Sequence, residues 1–354
     1  MRRQEGGGMH RIHWKKDMAI GLFAMLALVV GVWLFWPKEA ERLPGVTYEA
    51  VHVDPGPMLH LAEVLSSDAL EGRGATMPGN DAARGFIRKR FEDAGVEPFL
   101  PGGWEQSFTI LPKKPEETAG TGVNLVGWVP GDTPRQGPVI LVTAHFDHLG
   151  IRDGEIYNGA DDNASGAAML TALAEYFVKR RPKHDILFVA LDAEEIGLLG
   201  ARALAFDPEV PMDRVALNIN LDMVGRSEVG ELYAAGTYHT PALSELVTEI
   251  AKSSPVTLLQ GHDRPEEGPN DWTLQSDHGV FHQAGIPFLY FGVEDHPGYH
   301  HPSDDFEALT LDFYVRAADT LVSIINAADA SLPEIFAARR APAPPPSQTE
   351  GTPE

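Results

Sequence analysis

Four short runs constrain the fold of this chain more than any other feature. They are residues 139–144, 186–191, 215–221 and 287–293, and each is mostly apolar over six or seven positions. That is too short for a helix, and three of the four lack the polar alternation of a half-exposed strand. Such runs read as strands buried on both faces. Between them the apolar period changes to that of helices. Residues 81–94 place Ala83, Phe86, Ile87, Phe91 and Ala94 on one face, with Gly95 as a stop. Residues 166–180 do the same with Met169, Leu170, Leu173 and Phe177. Helical patterns also occupy residues 196–204, the stretch around Leu243, Leu246, Val247 and Ile250, and residues 311–328, while residues 106–111 and 123–129 read as further strands. Strand and helix alternating in this way predict an α/β fold: a three-layer αβα sandwich around a mostly parallel, mixed sheet.

In such sheets ligands gather beyond the carboxyl ends of the strands. The chemically distinctive residues of this chain fall there. His145 and Asp147 follow the first buried run, Glu194 and Glu195 the second, Asp222 the third, and His300 comes shortly after the fourth. Asp161 lies in a glycine-containing loop just before a helix. Residues far apart in sequence are thereby expected at one edge of the sheet.

Composition narrows the chemistry. The chain of 354 residues has 28 basic and 51 acidic side chains, a net charge of −23. The first 37 residues carry a net +3, which leaves −26 for the remainder. A body this acidic repels phosphate backbones, which argues against a nucleic-acid partner. There is no cysteine, so disulfides, thiolate metal ligands and a cysteine nucleophile are all excluded. No Gly-x-Ser-x-Gly elbow supports a serine hydrolase.

Residues 18–36 form an uncharged, apolar stretch of 19 residues. As a helix this would span about 28 Å, close to a bilayer core of about 30 Å. Arg11, Lys15 and Lys16 precede it, and Trp33 and Trp36 sit at its far end. The expectation is a cytoplasmic tail (1–17), an uncleaved inner-membrane anchor (18–36), a linker (37–54), a catalytic domain (55–335) outside the cytoplasm, in the periplasm or beyond, and a disordered Pro-rich tail (336–354).

Histidine nitrogens and carboxylate oxygens are the donors Zn²⁺ takes in catalytic sites. Two Zn²⁺ balance three carboxylates (Asp161, Glu195 and Asp222) and one hydroxide, leaving a neutral cluster suited to burial. Glu194, adjacent to a ligand but distinct from it, fits a general base that moves the proton of the attacking water. Asp147, two residues past His145, fits a partner that orients the imidazole. Other groups have blander readings. Asp162 and Asn163 read as caps of the following helix, and His148, His278, His282 and His296 as structural histidines.

The segments Thr-Ala-His-Phe-Asp-His (143–148), Asn-Gly-Ala-Asp-Asp-Asn-Ala-Ser-Gly (158–166), Asp-Ala-Glu-Glu-Ile-Gly (192–197), Asn-Leu-Asp-Met-Val-Gly (220–225) and Tyr-His-His-Pro-Ser-Asp-Asp (299–305) together resemble the co-catalytic zinc aminopeptidases of metallopeptidase family 28. Glutamate carboxypeptidase II and glutaminyl cyclases are relatives in that family. The resemblance runs from about residue 65 to 328. It implies that one zinc takes His145 and Asp222, that the other takes Glu195 and His300, and that Asp161 bridges them across a cis Asp161–Asp162 peptide. It favours His300 over His301 as the ligand. Leu-Glu-Gly-Arg (70–73) and Ser276-Asp277-His278 also resemble family features, without an assigned role. The implied activity is a membrane-anchored exopeptidase that removes N-terminal residues from peptides, with residues 265–274 and 293–297 shaping the substrate pocket. A zinc carboxypeptidase, a one-metal glutaminyl cyclase and a catalytically silent binding protein are the rival readings. The 78 positions from Asp222 to His300 are short for the extra domain that related carboxypeptidases insert.

Overall fold

The structure is a computed structural model and describes residues 46–112 and 119–339. In chain order it contains α1 (Pro55–Leu65), α2 (Pro78–Ala94), β1 (Glu97–Pro98), β2 (Glu105–Ile110), β3 (Gly120–Val129), β4 (Val139–His145), β5 (Gly150–Arg152), β6 (Glu155–Tyr157), α3 (Gly166–Lys179), β7 (Asp185–Leu191), α4 (Leu199–Ala205), β8 (Val215–Leu221), β9 (Glu231–Ala235), α5 (Pro241–Ala251), β10 (Thr257–Gln260), α6 (His278–Gln283), β11 (Phe288–Gly292), α7 (Leu311–Ala330) and α8 (Leu332–Ala337). The main sheet runs in the order β1-β3-β7-β4-β8-β11-β9-β10, with β2 also paired to β3. Strands β7, β4, β8 and β11 are parallel to their neighbours within this central block. β3 flanks β7 antiparallel on one side, and β9 flanks β11 antiparallel on the other. The sheet is therefore mixed with a parallel centre, as the unbroken apolar runs predict.

β4, β7, β8 and β11 are buried along their whole length. One face packs on α1, α2, α3, α5 and α7, and the other on α4 and α6. α7 alone buries Phe313, Tyr314, Leu321, Ile324 and Ile325, each contributing about 1.5–3 kcal/mol on transfer from water. β4 lies between β7 and β8, and the chain passes from β7 across to β8. The loops beyond the carboxyl ends part at that point, which opens the crevice where a site can form.

Several boundaries differ from the expectation. α2 begins at Pro78 rather than residue 81, because a proline in the first turn fits the helix without a lost hydrogen bond. α4 begins at Leu199 rather than 196. The preceding residues form a turn, with Ala193 and Leu198 at positive φ and the amides of Gly197 and Leu198 donating to Glu194 O. β9 and β10 have no counterpart in the sequence reading.

The described part of the expected linker is strapped to α7. Asp319 accepts from the amides of Val51 (2.6 Å), His52 (2.9 Å) and Val53 (3.2 Å), and Asp312 accepts from that of Thr47 (2.6 Å). The domain also extends past residue 335. α8 ends at Ala337, and Arg339 donates to Met212 O and Asp213 O, both at 2.9 Å. The expected cytoplasmic tail and membrane anchor, and residues 340–354 of the tail, lie outside the described residues. No described helix is long and apolar enough to cross a membrane.

Candidate metal centre

His145 ends β4 and is buried there. Its Nδ1 lies 3.2 Å from Asp147 O, an acceptor that fixes the proton on Nδ1 and leaves the Nε2 lone pair free. Nε2 lies 3.3 Å from Asp222 Oδ1 and 3.5 Å from Asp162 Oδ1. On the other side of Asp162, its Oδ2 lies 3.1 Å from His300 Nε2 and 3.7 Å from His148 Nδ1. Glu195 completes this second group, with Oε2 3.5 Å from His300 Nε2 and Oε1 2.7 Å from His148 Nδ1. His145, Asp162 and Asp222, and separately His148, Asp162 and Glu195, are close enough to share an ion. The carboxylate of Asp162 belongs to both groups.

The expected central place of Asp161 is thus corrected by one residue. Asp161 turns away, accepting from Gly225 N at 2.7 Å and lying 3.1 Å from His296 Nε2. The loop is held by Asp304, whose carboxylate accepts from the amides of Asp161 (3.1 and 3.0 Å) and Asp162 (3.0 Å). The cis peptide is Asp162–Asn163 rather than Asp161–Asp162. Asn163 alone does the expected capping, with Oδ1 accepting from Gly166 N at 2.9 Å. His148 joins the cluster instead of serving as a remote structural residue, and His296 supports Asp161. His300, stacked on Tyr299 at 4.0 Å, brings its Nε2 to 3.1 Å from Asp162 Oδ2 and is the member of the His300–His301 pair at the cluster.

Asp147 lies behind the site, fully buried. Its carboxylate is 3.7 Å from His145 Nδ1, too far for a hydrogen bond, so the orienting contact is its carbonyl instead. The carboxylate accepts from the amides of Glu194 (3.0 Å) and Glu195 (3.3 Å), which places the glutamate pair.

Two motifs without an assigned role find one. Arg73 is fully buried and donates to Phe146 O (2.8 Å), Leu65 O (2.5 Å), Asn158 O (2.6 Å) and Gly159 O (2.9 Å), pinning the loops that carry His145 and Asp162. Ser276 Oγ accepts from Asn220 at 3.0 Å, and His278 Nε2 lies 2.9 Å from Trp272 O at the rim. Asp277 is buried with neither carboxylate oxygen hydrogen-bonded. Burial, with Asp147 and Asp222 nearby, pushes it up to about 8 despite the pull of His145.

The electrostatics describe a site built for cations. Burial raises Glu194 well above the ordinary carboxyl range, with Asp277, Asp222 and Asp147 adding to it against His145. Burial opposes ionisation of Glu195 too, but His148 and His300 outweigh it and hold that carboxyl below its usual range. Hydrogen bonding to Asp162 and Glu195 pushes His300 up to about 10. Protons here do what a metal would. The donors are the nitrogen and oxygen types zinc prefers. Buried His148 Nδ1 and Glu195 Oε1 face each other at 2.7 Å without hydrogen-bond alignment, as lone pairs aimed at a common ion would. The residues therefore fit a divalent metal on each side of Asp162.

The cluster opens into a cavity of about 320 Å³ lined by Met223, Trp272, Gln275, Tyr290, Val293 and Tyr299, among others. Trp272 stacks on His262 at 3.7 Å. Both segments expected at the pocket, 265–274 and 293–297, contribute lining residues.

Residues 124–325, more than half of the chain, match Peptidase family M28, and the chain belongs to that family. It is 28% identical over 218 residues to Aminopeptidase YwaD of Bacillus subtilis, which covers 58% of this chain and 44% of that protein. It is 26% identical over 242 residues to Leupeptin-inactivating enzyme 1 of Streptomyces exfoliatus, covering 66% and 48%. The chain thus spans less than half the length of these curated relatives. Among solved structures, a leucine aminopeptidase precursor from Bacteroides thetaiotaomicron overlays with a TM-score of 0.62 at 18% identity, over 78% of this chain and 98% of the other. A glutaminyl cyclase from Porphyromonas gingivalis overlays with a TM-score of 0.63 at 18% identity, over 78% and 99%. At that identity the overlays speak for the fold.

Proposed function

We propose that this protein is a two-zinc aminopeptidase. The observation that carries the reading is Asp162, whose two oxygens face separate sets of donors: His145 and Asp222 on one side, Glu195, His300 and His148 on the other. Two zinc ions held there would polarise a peptide carbonyl and acidify water enough for attack near neutral pH.

The protein's own residues supply the rest. Glu194 lines the cavity beside the donors, and its raised proton affinity suits a group that takes a proton from water and passes it on. As the water oxygen bonds to the carbonyl carbon, Glu194 receives the proton. As the carbon–nitrogen bond breaks, it delivers that proton to the departing amine. Asp147 keeps the glutamate in register by accepting its amide hydrogen. A cavity of about 320 Å³ is at the small end of ligand pockets. It suits the end of a peptide rather than the middle of one, which favours exopeptidase action. The single described main sheet, with no second domain between Asp222 and His300, supports an aminopeptidase over a carboxypeptidase.

Glutaminyl cyclase is a second reading because one overlays equally well. A one-metal cyclase leaves the His145–Asp222 pair without a purpose, whereas a two-metal hydrolase uses it. Metal analysis combined with assays on aminoacyl anilides and on N-terminal glutaminyl peptides tests both. Two zincs per chain and chelator-sensitive anilide hydrolysis are expected. One zinc with cyclisation would replace the reading, and chelator-resistant hydrolysis would remove the metal from it.

The uncharged run 18–36 and the cations before it support an inner-membrane anchor with the catalytic domain on the far side. Protease digestion of intact cells, with any outer membrane permeabilised, is expected to degrade the domain. Full protection would reverse the topology.

A further inference from the structure

We propose that His148 is a ligand, so that the two metal positions are unequal. The position formed by Asp162, Glu195 and His300 is closed by His148 with four protein donors. The position formed by His145, Asp162 and Asp222 has three and stays open. This inference rests on the two-metal reading above.

The spacing of the donors carries it. Four donors placed tetrahedrally at zinc-ligand distances of 2.0–2.2 Å lie about 3.3–3.6 Å from one another. Around the second position the separations are 3.1 Å (His300–Asp162), 3.5 Å (His300–Glu195), 3.7 Å (His148–Asp162) and 2.7 Å (His148–Glu195). They scatter about the tetrahedral edge, with the 2.7 Å contact the outlier on the short side. Around the first position they are 3.3 and 3.5 Å, with His145, Asp162 and Asp222 as the whole donor set.

A simpler role for His148 is to hydrogen-bond Glu195. The structure disfavours it. The 2.7 Å approach is not aligned as a hydrogen bond, and neither ring nitrogen of His148 nor Oε1 of Glu195 has a hydrogen-bond partner. A buried imidazole left in that state is costly. Ligation through Nδ1 relieves both that nitrogen and the facing oxygen.

The backbone is shaped to admit the ring. His148 N donates to Arg73 O at 3.3 Å, which anchors its start. Gly159 lies against the imidazole, and a Cβ there would come within 2.5 Å of its Cγ and Cδ2. Gly159 also has φ +56, so any other residue would be strained as well as obstructive. A Cβ there would also meet Asp162 O at 2.1 Å, so the glycine serves the tight Asp162 turn as well as clearing the ring of His148.

The division has a chemical consequence. Zinc sites with four protein ligands are closed and hold their metal structurally, while sites with three keep a position for water or substrate. The His145 side is therefore where substrate engages, and the His148 side is the tighter, slower-exchanging anchor.

Cobalt(II) titration of the metal-free protein tests this without reference to activity. Cobalt with four protein donors in a tetrahedron absorbs strongly in the visible, and with five or six donors weakly. The first equivalent added to the wild type is expected to give the strong band. His148→Ala and His148→Gln are expected to lose most of that band, and zinc competition with a chelator to show the tighter site weakened by about 100-fold or more, the upper end for loss of even an indirect partner. The second equivalent should be unchanged. A wild type whose first equivalent absorbs weakly overturns the assignment without recourse to a variant, as do variants that keep the band and bind the tighter ion within threefold of wild type. A protein that binds one ion with a His148-dependent band would support the ligand while sinking the two-metal reading. Two ions with a His148-independent spectrum would do the reverse.

Discussion

Arg73 is the residue whose removal the structure prices most clearly. Burial pushes its guanidinium down to about 10, against the pull of Asp162, Asp147, Asp304 and Glu195, so it remains charged at neutral pH. It satisfies four carbonyls, those of Leu65, Phe146, Asn158 and Gly159. Arg73→Met fills much of the same volume but donates nothing. Gly159 O keeps the amide of Ala164 at 3.1 Å, so the variant leaves three carbonyls unpaired; at about 1–3 kcal/mol each they cost roughly 3–9 kcal/mol. That is a large part of the 5–15 kcal/mol of a typical domain. Arg73→Lys keeps the charge but draws its donors from one nitrogen in place of the three that Arg73 uses, so at least one carbonyl is lost, for about 1–3 kcal/mol. Urea unfolding of metal-loaded protein measures both, and the variants should rank wild type, Lys, Met. Because Phe146 and Gly159 neighbour His145 and the Asp162 loop, the Lys variant should also bind zinc more weakly. If Arg73→Met unfolds within about 1 kcal/mol of wild type with an unchanged m-value, the freed carbonyls find water instead, and the arginine is not a clasp.

Other outcomes follow from the site. Glu194→Gln should retain both zincs by metal analysis yet lose about 10²–10⁴-fold in kcat on an aminoacyl anilide; loss of a zinc instead would show that Glu194 and Glu195 have exchanged roles. Asp162→Asn should lose zinc, whereas Asp161→Asn should keep the stoichiometry while weakening the contacts to His296 and Gly225, and the reverse result would restore Asp161 to the centre. In the metal-free protein, burial holds protons on Asp304 (about 6), Asp192 (about 7) and Asp277 (about 8), and the unfolded chain releases them near the ordinary 3.8. Over that interval the folded state binds more protons, so the contribution of these three groups is full below about 3.8 and is lost as pH rises from there through about 6 to 8. Thermal unfolding of the apo protein at pH 5.5 and 8 checks the sign, and a higher Tm at pH 8 would contradict it.

Much of this architecture is written in the local pattern of the chain. The unbroken apolar run at residues 186–191 has no polar face to offer, so it has to sit inside a covered sheet, and the chemistry at its end is delivered to a common edge. What local pattern does not carry is one-residue phase within a loop. Asp161 and Asp162 are identical in type and adjacent, and which one points inward is decided by Asp304, 142 residues beyond Asp162 in sequence. His148 was hidden for the same reason. Nothing in Phe-Asp-His marks the second histidine as inward-facing; Gly159, which makes room for it, belongs to a different loop. β9 and β10 escape because they are short strands with mixed exposure, where neither period is established.

The same loop geometry bears on why the site is built from so many carboxylates. Asp147, Asp161 and Asp304 make no place for themselves among the metal-facing donors; their oxygens are occupied by the amides of Glu194, Glu195, Gly225, Asp161 and Asp162. A carboxylate that accepts backbone amides fixes a loop without needing an apolar contact. The negative charge this introduces is a liability for burial by itself. It becomes tolerable when cations sit a few ångströms away: Arg73 lies on one side of the Asp162 loop, and the two-metal reading proposed above would put divalent metal on the other. Loop fixation and the proposed metal binding are then one design: the acids that hold the donors in place also provide a field that attracts cations, while burial pushes up Asp277, whose carboxylate has no hydrogen-bond partner.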